Sequence, residues 1–289
     1  MSALGGMKIA VTGAQGQLGW ELCRQLDDAA LPLDRSRLDL TDRAAVLDTL
    51  LALRPTAVVN AAAYTAVDRA EQEPEVAMHG NADAVEYLVE ACRKLDCPLV
   101  QVSTDYAFGG DDRSGKPFTE SDPVAPQGQY AKSKIEGERR AAAWPKHFIV
   151  RTCGLYGQAS PGRKANNFVE TMLRLGRERD VLKIVTDQRC TPTYVVDLAE
   201  AIRFLLTTDK YGLYHVVNTG SCTWFEFAET IFRLANIKIR LEGITAAEYG
   251  APAPRPGYSV LDTAKYQALG GPPLRDWQAA LAAYLQSRA

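Results

Sequence analysis

A glycine-rich turn near the start constrains the fold of this chain more than any other stretch. The short β-branched run "KIAVTG" leads into "GAQGQLG", which contains Gly13, Gly16 and Gly19. Leucines then recur at four-residue spacing, which predicts a helix. Strand, glycine turn and helix in this order are typical of dinucleotide-binding folds, because glycines let backbone N–H groups approach a pyrophosphate at the helix start. A tight turn without a ligand is the alternative, and the strand and helix on either side disfavour it.

Strands and helices continue to alternate up to about residue 155. The predicted strands lie at 31–33 and in "TAVVNAAA", "PLVQVST" and "HFIVRTC", and the predicted helices span Thr41 to Leu53, with Thr41 as N-cap, Pro74 to Leu95, and a segment around Tyr130. This alternation predicts an α/β fold, a doubly wound parallel Rossmann sheet covered on both faces.

The rhythm changes after Cys153. Loops become longer and richer in glycine and proline, and the predicted helices at 167–177, 223–235 and 277–285 are interrupted by short strands such as "GLYHVVN". We therefore predict a dinucleotide-binding Rossmann domain over 1–155 and a smaller, mainly substrate-binding lobe over 156–289. The boundary is soft, and we expect some later segments to return to the first domain.

Charge and cysteine usage narrow the class of protein. The 289 residues carry a net charge of −2 with both signs interspersed, which argues against a nucleic-acid partner. The sequence has no apolar run of about 18 residues and no leader-like start, so we expect no membrane association. Six scattered cysteines and three isolated histidines show no metal-ligand spacing. These features favour a cytoplasmic protein with reduced thiols and no bound metal.

A carboxylate about 20 residues beyond the first glycine is expected to hold the ribose of a bound adenosine. Asp34 stands there, at the end of the second predicted strand. It favours NADH, because a carboxylate accepts from the 2′-hydroxyl and repels a 2′-phosphate. The adjacent Arg35 could neutralise that phosphate, so NADPH stays open. Asp39 is a second carboxylate that could reach the adenine, and a helix cap is its equally plausible alternative role.

Tyr130 and Lys134 are one helical turn apart in "GQYAKSKIEGE". A free phenol has a pKa near ~10, and a neighbouring ammonium would favour the phenolate and lower that pKa. The fourth strand ends in "STDYAF", so Ser103, Thr104 and Asp105 should reach the same cleft. A solvated helix face is the alternative for the pair, and the glycine turn and strand-end hydroxyl make it the weaker one.

At this point the chain resembles a known family, the dTDP-4-dehydrorhamnose reductases of the extended short-chain dehydrogenase/reductases. The resemblance rests on "TGAQGQLG", "NAAAYTAVD", "STDYAF", Tyr130-x-x-x-Lys134, "NNFVETMLRL", "DQRCTPTY", "GLYHVVNTGSCTWFEFA" and "RPGYS", and covers nearly the whole chain after Met7. It implies hydride transfer from NADPH or NADH to the 4-keto carbon of a dTDP-linked 6-deoxy sugar, giving dTDP-L-rhamnose. Tyr130 would protonate the developing alkoxide, Lys134 would tune Tyr130 and orient the ribose, and Thr104 would contact the substrate oxygen.

The resemblance also implies a set of contacts. The implied cofactor contacts are Gly13, Gly16, Gln17, Leu18, Gly19, Asp34, Arg35, Asp39, Leu40, Ala63, Tyr64, Thr65, Tyr130 and Lys134. The implied sugar contacts are Thr104 and Asp105, and Asn167 and Arg255 are candidates for the nucleotide diphosphate. Arginine suits a diphosphate because its fork can bind two oxygens, although Arg255 could equally be a loop surface charge.

Two positions depart from the family pattern. Some members are magnesium-bridged dimers built on glutamates, and Val195 stands where one such glutamate is expected. We therefore predict a monomer or weak homodimer without a bridging metal. Gly154 stands where the family has a tryptophan beside the sugar, so the sugar site should be wider unless Tyr64, Tyr106 or Tyr156 fills the space. A backbone requirement for positive φ is the alternative explanation of Gly154.

Two further functions stay open at this point. The substrate could be another dTDP-4-keto-6-deoxy sugar. A related branch of this fold acts as a regulatory subunit of methionine adenosyltransferase, so the chain could instead bind a partner without catalysing a reaction. The presence of Tyr130, Lys134 and Thr104 favours catalysis.

Overall fold

A computed structural model describes residues 6–109 and 115–288. The strands in chain order are β1 (Ile9–Thr12), β2 (Ala30–Leu33), β3 (Ala57–Asn60), β4 (Leu99–Thr104), β5 (His147–Thr152), β6 (Leu155–Tyr156), β7 (Val181–Val185), β8 (Arg189–Cys190), β9 (Thr193–Tyr194), β10 (Gly212–His215), β11 (Cys222–Thr223) and β12 (Arg240–Ile244). The helices are α1 (Gln17–Leu26), α2 (Arg43–Leu53), α3 (Val67–Ala70), α4 (Pro74–Met78), α5 (Ala84–Leu95), α6 (Gly128–Ala142), α7 (Phe168–Glu178), α8 (Val195–Leu205), α9 (Trp224–Leu234), α10 (Ala246–Tyr249), α11 (Ala264–Gln267) and α12 (Trp277–Ser287).

The large sheet is parallel and doubly wound. Its strand order is β10-β5-β4-β3-β1-β2, and each neighbouring pair is parallel. The order reverses between β1 and β3, where ligands collect in open sheets of this kind, at the carboxyl ends of the strands. The predicted α/β class and doubly wound sheet are confirmed.

Alternate residues of the strands pack on opposite faces of this sheet, as a pleated strand requires. Ala10 and Val58 lie in the core beneath α2 and α5. Ile9 and Val59 lie in the other core, which also includes side chains of α1, α8, α9 and α12. Helices from the later half of the chain therefore share a hydrophobic core with the first strands.

Several details differ from the sequence expectations. Helix α2 begins at Arg43, and its N-cap is Asp42, whose carboxylate accepts from Ala45 N, so Thr41 as N-cap is wrong. The helix expected from Pro74 to Leu95 contains a π-type turn at His79–Asp83. Strand β10, expected among the segments of the smaller lobe, extends the large sheet beside β5.

The remaining strands form small pairs away from the large sheet: β11 with β8, β12 with β7, and β6 with β9. With α7 and α9, these strand pairs belong to the later half of the chain, part of which packs against the residues that follow β4 and β5. Across 6–109 and 115–288, no helix has the length and apolar character needed to cross a membrane.

Candidate active site

The glycine turn after β1 has the geometry of an anion-binding loop. Gly13 has φ +66°, and a Cβ there would lie 2.8 Å from the backbone nitrogen of Ala62. A Cβ on Gly19 would collide with the carbonyl oxygen of Gly13. Helix α1 begins at Gln17 with Gly16 as its N-cap, so no side chain caps it. Its first N–H groups and positive dipole end therefore face the turn, which suits a pyrophosphate.

The side chain of Leu18, one of the predicted cofactor contacts, is only 5% exposed and packs in the core beneath the sheet. Only its backbone N–H can face a ligand in the turn. Gln17 is partly exposed, and its side-chain oxygen accepts from the Asn167 amide at 2.7 Å. The start of α1 is therefore fixed to the later half of the chain.

The carboxylates at the end of β2 are held by local hydrogen bonds. Asp34 accepts from Ser36 N at 2.8 Å and from the amide of Gln15 at 2.6 Å. The hydrogen bond from the Ser36 hydroxyl is the main cause that lowers the pKa of Asp34. Sequence reasoning missed Gln15, although its place within the glycine turn was a signal that it could connect the turn to β2.

Arg35 and Asp39 form the exposed rim beside Asp34. Their side chains lie 3.7 Å apart, with Arg35 84% exposed. Asp39 accepts from the backbone nitrogen and hydroxyl of Thr41, which lower its pKa. It is therefore not the N-cap of α2, and its carboxylate lies next to the partly buried Leu40. The structure brings the predicted adenosine residues together at one exposed edge.

The loop after β3 contains the predicted contacts Ala63, Tyr64 and Thr65. Asn81, in the π-type turn, accepts from Tyr64 N at 2.9 Å and donates to Tyr64 O at 3.0 Å. The same amide donates to the Ser133 hydroxyl of α6 at 3.0 Å. Asn81 is only 2% exposed and therefore fixes this loop against the helix that contains Tyr130. A π-type turn often marks a functional site, but nothing in the sequence pattern distinguished it from regular helix.

Lys134 lies almost fully buried beneath the cleft. It is 3% exposed, and its Nζ donates to Val102 O of β4 at 2.8 Å. Burial lowers the pKa of Lys134 to about 8, while the nearby Glu138 carboxylate acts in the opposite direction. The ammonium is therefore predominantly charged at neutral pH and loses its charge within a mildly alkaline range.

Tyr130 is half-buried, and Thr104 at the end of β4 lies close enough to its phenol to influence the pKa of that phenol. Burial raises the pKa of Tyr130 to about 12, Thr104 lowers it, and Asp105 and Cys153 raise it. The sequence predicts that Lys134 lowers the pKa of Tyr130 below that of a free phenol. This prediction is wrong, because the protein's own groups raise that pKa. Desolvation is the largest effect, and the Lys134 ammonium is directed at a strand carbonyl.

The three polar residues at the end of β4 have different partners. The Ser103 hydroxyl donates to Glu138 at 2.5 Å and so faces the interior of the protein. Thr104 lies beside the Tyr130 phenol and accepts from Tyr106 N at 3.2 Å. Asp105 is 3% exposed, and burial raises its pKa despite a 2.5 Å hydrogen bond from Ser259. Of the three, Thr104 and Asp105 are placed toward Tyr130.

A buried ion pair lies behind this cluster. Arg151 of β5 donates to both carboxylate oxygens of Glu138, at 2.8 and 2.7 Å. The guanidinium also lies over the ring of Phe108, with 5.1 Å to the centroid. Sequence reasoning missed this pair, because an arginine and a glutamate 13 residues apart carry no signal that both are buried.

Asn167 and Arg255, the candidates for the nucleotide diphosphate, lie in different surroundings. Asn167 is the N-cap of α7 and lies against Gln17. Arg255 donates to Asp68 at 3.0 Å and lines a cleft with Asp105. Arg255 therefore shares a cleft with a predicted sugar contact, whereas Asn167 is beside the glycine turn.

Gly154 has φ +52°, as the backbone explanation requires. The side chain over it is Trp224, whose Cη2 lies 3.4 Å from the place of a Cβ. None of the three expected tyrosines fills this space: Tyr156 is 1% exposed in the core, and Tyr64 bonds with Glu73. Tyr106 instead meets the Tyr130 ring edge-on, with 5.7 Å between centroids.

Val195, the position of an expected metal-ligating glutamate, is buried at the start of α8. Within the described ranges, no three His, Cys, Asp or Glu side chains are placed together to hold a metal ion.

The large sheet is doubly wound, and a glycine turn follows its first strand. A half-buried tyrosine and a buried lysine lie beside a strand-end hydroxyl. Together these features define a class of protein. This class is the nicotinamide-dependent oxidoreductases of the short-chain dehydrogenase/reductase type. More narrowly, a family model described as the RmlD substrate binding domain matches residues 7–289, and the chain belongs to this family.

Two relatives and one solved structure that are similar to this chain are all named as reductases. The chain is 42% identical to a dTDP-4-dehydrorhamnose reductase of Streptomyces griseus, over 94% of this chain and 90% of that protein. It is 39% identical to a probable dTDP-4,6-dihydroxy-2-methyloxan-3-one 4-ketoreductase of Streptomyces antibioticus, over 95% and 93%. A crystal structure of dTDP-4-dehydrorhamnose reductase from Bacillus anthracis in complex with NADP superposes with a TM-score of 0.91, 38% identity and coverage of 97% and 99%.

Proposed function

We propose that the protein reduces the 4-keto group of dTDP-4-dehydro-6-deoxy-L-mannose, giving dTDP-L-rhamnose. The observation that carries this proposal is the Tyr130 phenol, which lies beside Thr104 at the strand end and one turn from the buried Lys134. A keto reduction needs a proton donor beside the developing alkoxide. With a pKa raised to about 12, Tyr130 carries its proton at neutral pH and can donate it.

The cofactor is NADPH or NADH, whose reduced nicotinamide supplies the hydride. Gly13, Gly16 and Gly19 let the backbone turn tightly at the start of α1, where a pyrophosphate would meet its N–H groups. Lys134 holds a positive charge below the cleft, where it can donate to ribose hydroxyls. The backbones of Gln17 and Leu18 and the loop of Ala63, Tyr64 and Thr65 would border the same molecule.

Residues at the adenosine end could bind either NADH or NADPH. Asp34 is ionised and can accept from a 2′-hydroxyl of NADH, once it shares or releases the Gln15 amide. Arg35 is exposed and can pair with the 2′-phosphate of NADPH. Asp39 and Leu40 would border the adenine.

The sugar nucleotide would lie in the cleft between the end of β4 and the later half of the chain. Asp105 and Arg255 line this cleft, which is only about 10 Å³ in volume and would have to widen to admit the sugar and the diphosphate beside Arg255. Thr104 would contact the substrate oxygen that receives the proton. Asn167 would act from its place beside Gln17, by positioning the start of α1.

We also infer the setting in which the enzyme works. Residues 1–155 form the dinucleotide-binding domain and 156–289 mainly the substrate-binding lobe, with β10 returning to the large sheet. The protein is a cytoplasmic monomer or weak homodimer without a bridging metal, and neither nucleic acid nor membrane is a partner. A net charge of −2 with mixed signs supports the absence of a nucleic-acid partner.

A second candidate is the reduction of another dTDP-4-keto-6-deoxy sugar. The Streptomyces antibioticus relative favours it, because that protein is named for a different keto sugar at 39% identity. A purely regulatory role, like that of the methionine adenosyltransferase subunit, fits less well. Binding alone would not need a phenol placed between a strand-end threonine and a buried lysine.

The test is an assay of the purified protein with dTDP-4-dehydro-6-deoxy-L-mannose and either NADPH or NADH, with the product identified by NMR. We expect cofactor oxidation and dTDP-L-rhamnose. Oxidation only with a different dTDP-4-keto sugar would select the second candidate. If no such sugar causes oxidation of the cofactor, the regulatory role becomes the favoured function.

A further inference from the structure

Trp224 is held in one orientation at the start of α9. Its helix begins with a capping box, in which Thr223 and Glu226 bond to each other's backbone nitrogens. The indole packs against Phe168, with 4.8 Å between ring centroids. The cap orders the backbone of the helix start, and an indole that already packs on an aromatic neighbour loses little further freedom when a ligand packs on it, so it can act as a rigid wall.

This wall stands close to the predicted reaction centre. The Trp224 Cη2 lies over Gly154, the residue that follows Cys153, and the Cys153 thiol lies close enough to Asp105 to influence the pKa of that carboxyl. Asp105 in turn accepts from the Thr104 hydroxyl at 3.3 Å, and Thr104 lies beside the Tyr130 phenol. Only a short chain of contacts therefore separates the indole from the proposed proton donor.

The indole is also partly exposed, and it lines the cleft that contains Asp105 and Arg255. The cleft thus has a charged side and an aromatic side. A 6-deoxy sugar has the same two kinds of surface: ring hydroxyls, and a face of C–H groups that ends in a methyl. Aromatic rings bind such apolar faces, and the polar groups fix the orientation of the ligand.

We infer that the Trp224 indole is the wall on which the apolar face of the 6-deoxy sugar packs. This inference rests on the proposed function, since it places the keto sugar at Tyr130. A thymine base could also stack on an indole. The position of Trp224 favours the sugar, because the base lies beyond two phosphates from the reacting carbon, whereas the indole adjoins the residues around Tyr130.

The test compares Trp224→Ala and Trp224→Phe with a matched control, Trp144→Phe. Trp144 lies at the far end of α6 and donates to Cys97 O, away from this cleft. We expect Trp224→Ala to raise KM for the dTDP-4-keto sugar by about tenfold or more. Trp224→Phe should have a smaller effect in the same direction, and the control should have none. The dissociation constants of dTDP alone and of NADPH, measured by calorimetry, should stay unchanged in all three variants.

Two outcomes would overturn the inference. An unchanged KM in a folded Trp224→Ala variant would show that the indole only packs in the interior. A matching loss of affinity for dTDP alone would place the base, not the sugar, on the indole.

A binding measurement keeps the test independent of turnover and of variant folding. In the unmodified protein, dTDP-L-rhamnose should change tryptophan fluorescence more than dTDP does, and Trp224→Phe should abolish the difference. Equal changes with both ligands would overturn the inference. Failure of the proposed function is a separate result, namely absence of cofactor oxidation by the unmodified protein.

Discussion

Two arginine–carboxylate pairs lie near the opposite ends of the proposed cofactor cleft, and they differ in exposure. Arg151 and Glu138, behind Tyr130, have side chains that are 4% and 8% exposed. Arg35 and Asp39, at the adenosine end, are 84% and 44% exposed. The same chemistry therefore operates in a low-dielectric interior at one end and in water at the other. Buried pairs interact strongly and tolerate the loss of a partner poorly, whereas exposed pairs contribute little to stability.

The difference extends to the ionisable groups around each pair. At the buried end, desolvation lowers the pKa of Lys134 to about 8 and raises the pKa of Tyr130 to about 12. At the exposed end, local hydrogen bonds lower the pKa values of Asp34 and Asp39. Strongly perturbed groups in a cleft are typical of catalytic centres, and ordinary ionised carboxylates suffice for recognition. We conclude that one end is built for chemistry and the other for binding.

The largest expected effect is on stability. Glu138→Gln should lower the free energy of unfolding by about 3–5 kcal/mol, because it leaves the Arg151 guanidinium buried without its counter-charge. Asp39→Asn is the matched control and should change it by less than about 1 kcal/mol. Urea denaturation monitored by circular dichroism measures both. Similar losses in the two variants would remove the distinction between the buried and exposed pairs.

The next effect is on turnover. Tyr130→Phe should reduce kcat by about 100-fold or more, because the phenol is the proposed proton donor. The fold and the affinity for NADPH should be retained, which circular dichroism and fluorescence titration can check. A kcat near that of the unmodified protein would return Tyr130 to an ordinary position on a helix face.

A smaller effect concerns the pH dependence of cofactor binding. Lys134 has its pKa lowered to about 8, so it is charged below that pH and neutral above it. Affinity for NADPH should therefore fall as the pH rises through about 8, by about tenfold, the scale of one charge-assisted hydrogen bond. Lys134→Met should bind NADPH more weakly at pH 7 and lack this pH dependence. The same alkaline decline in the variant would assign the titration to another group.

The smallest effect belongs to the exposed end. Asp34→Ala should shift the ratio of kcat/KM values for NADH and NADPH toward NADPH by about twofold to fivefold, the scale of an exposed polar interaction. Arg35→Ala should shift it the other way, since the cation that can pair with a 2′-phosphate is lost. Steady-state kinetics with each cofactor measure both ratios. An unchanged ratio in both variants would place the recognition of the ribose elsewhere.

The predictable features of this fold depend on local pattern. The glycine turn, the alternation of strands and helices and the Tyr130–Lys134 spacing are all short-range features. The structure has each of them, although α2 begins two residues later than expected and a π-type turn interrupts the helix expected from Pro74 to Leu95. Pairing across long stretches of chain was not predictable. The placement of β10 in the large sheet depends on its pairing with β5, which lies more than 50 residues earlier. No local sequence pattern identifies β5 as its partner.

The site shows the same limit. A helix cap depends on which of two neighbouring polar residues turns back toward the helix, so Thr41 and Asp42 could not be distinguished. The raised pKa of Tyr130 depends on burial by residues of several elements, which spacing within one helix does not reveal. Trp224 lies 70 residues beyond Gly154, and only the folded chain brings them together.

The division between a catalytic and a binding end is tested most directly by single-turnover kinetics. Tyr130→Phe and Asp34→Ala, each saturated with NADPH and with the dTDP-4-keto sugar, should be compared with the unmodified protein. We predict that Tyr130→Phe slows cofactor oxidation by about 100-fold or more, while Asp34→Ala reacts at the unmodified rate once saturated. Equal rates in the two variants, or a slow step in Asp34→Ala alone, would contradict the account.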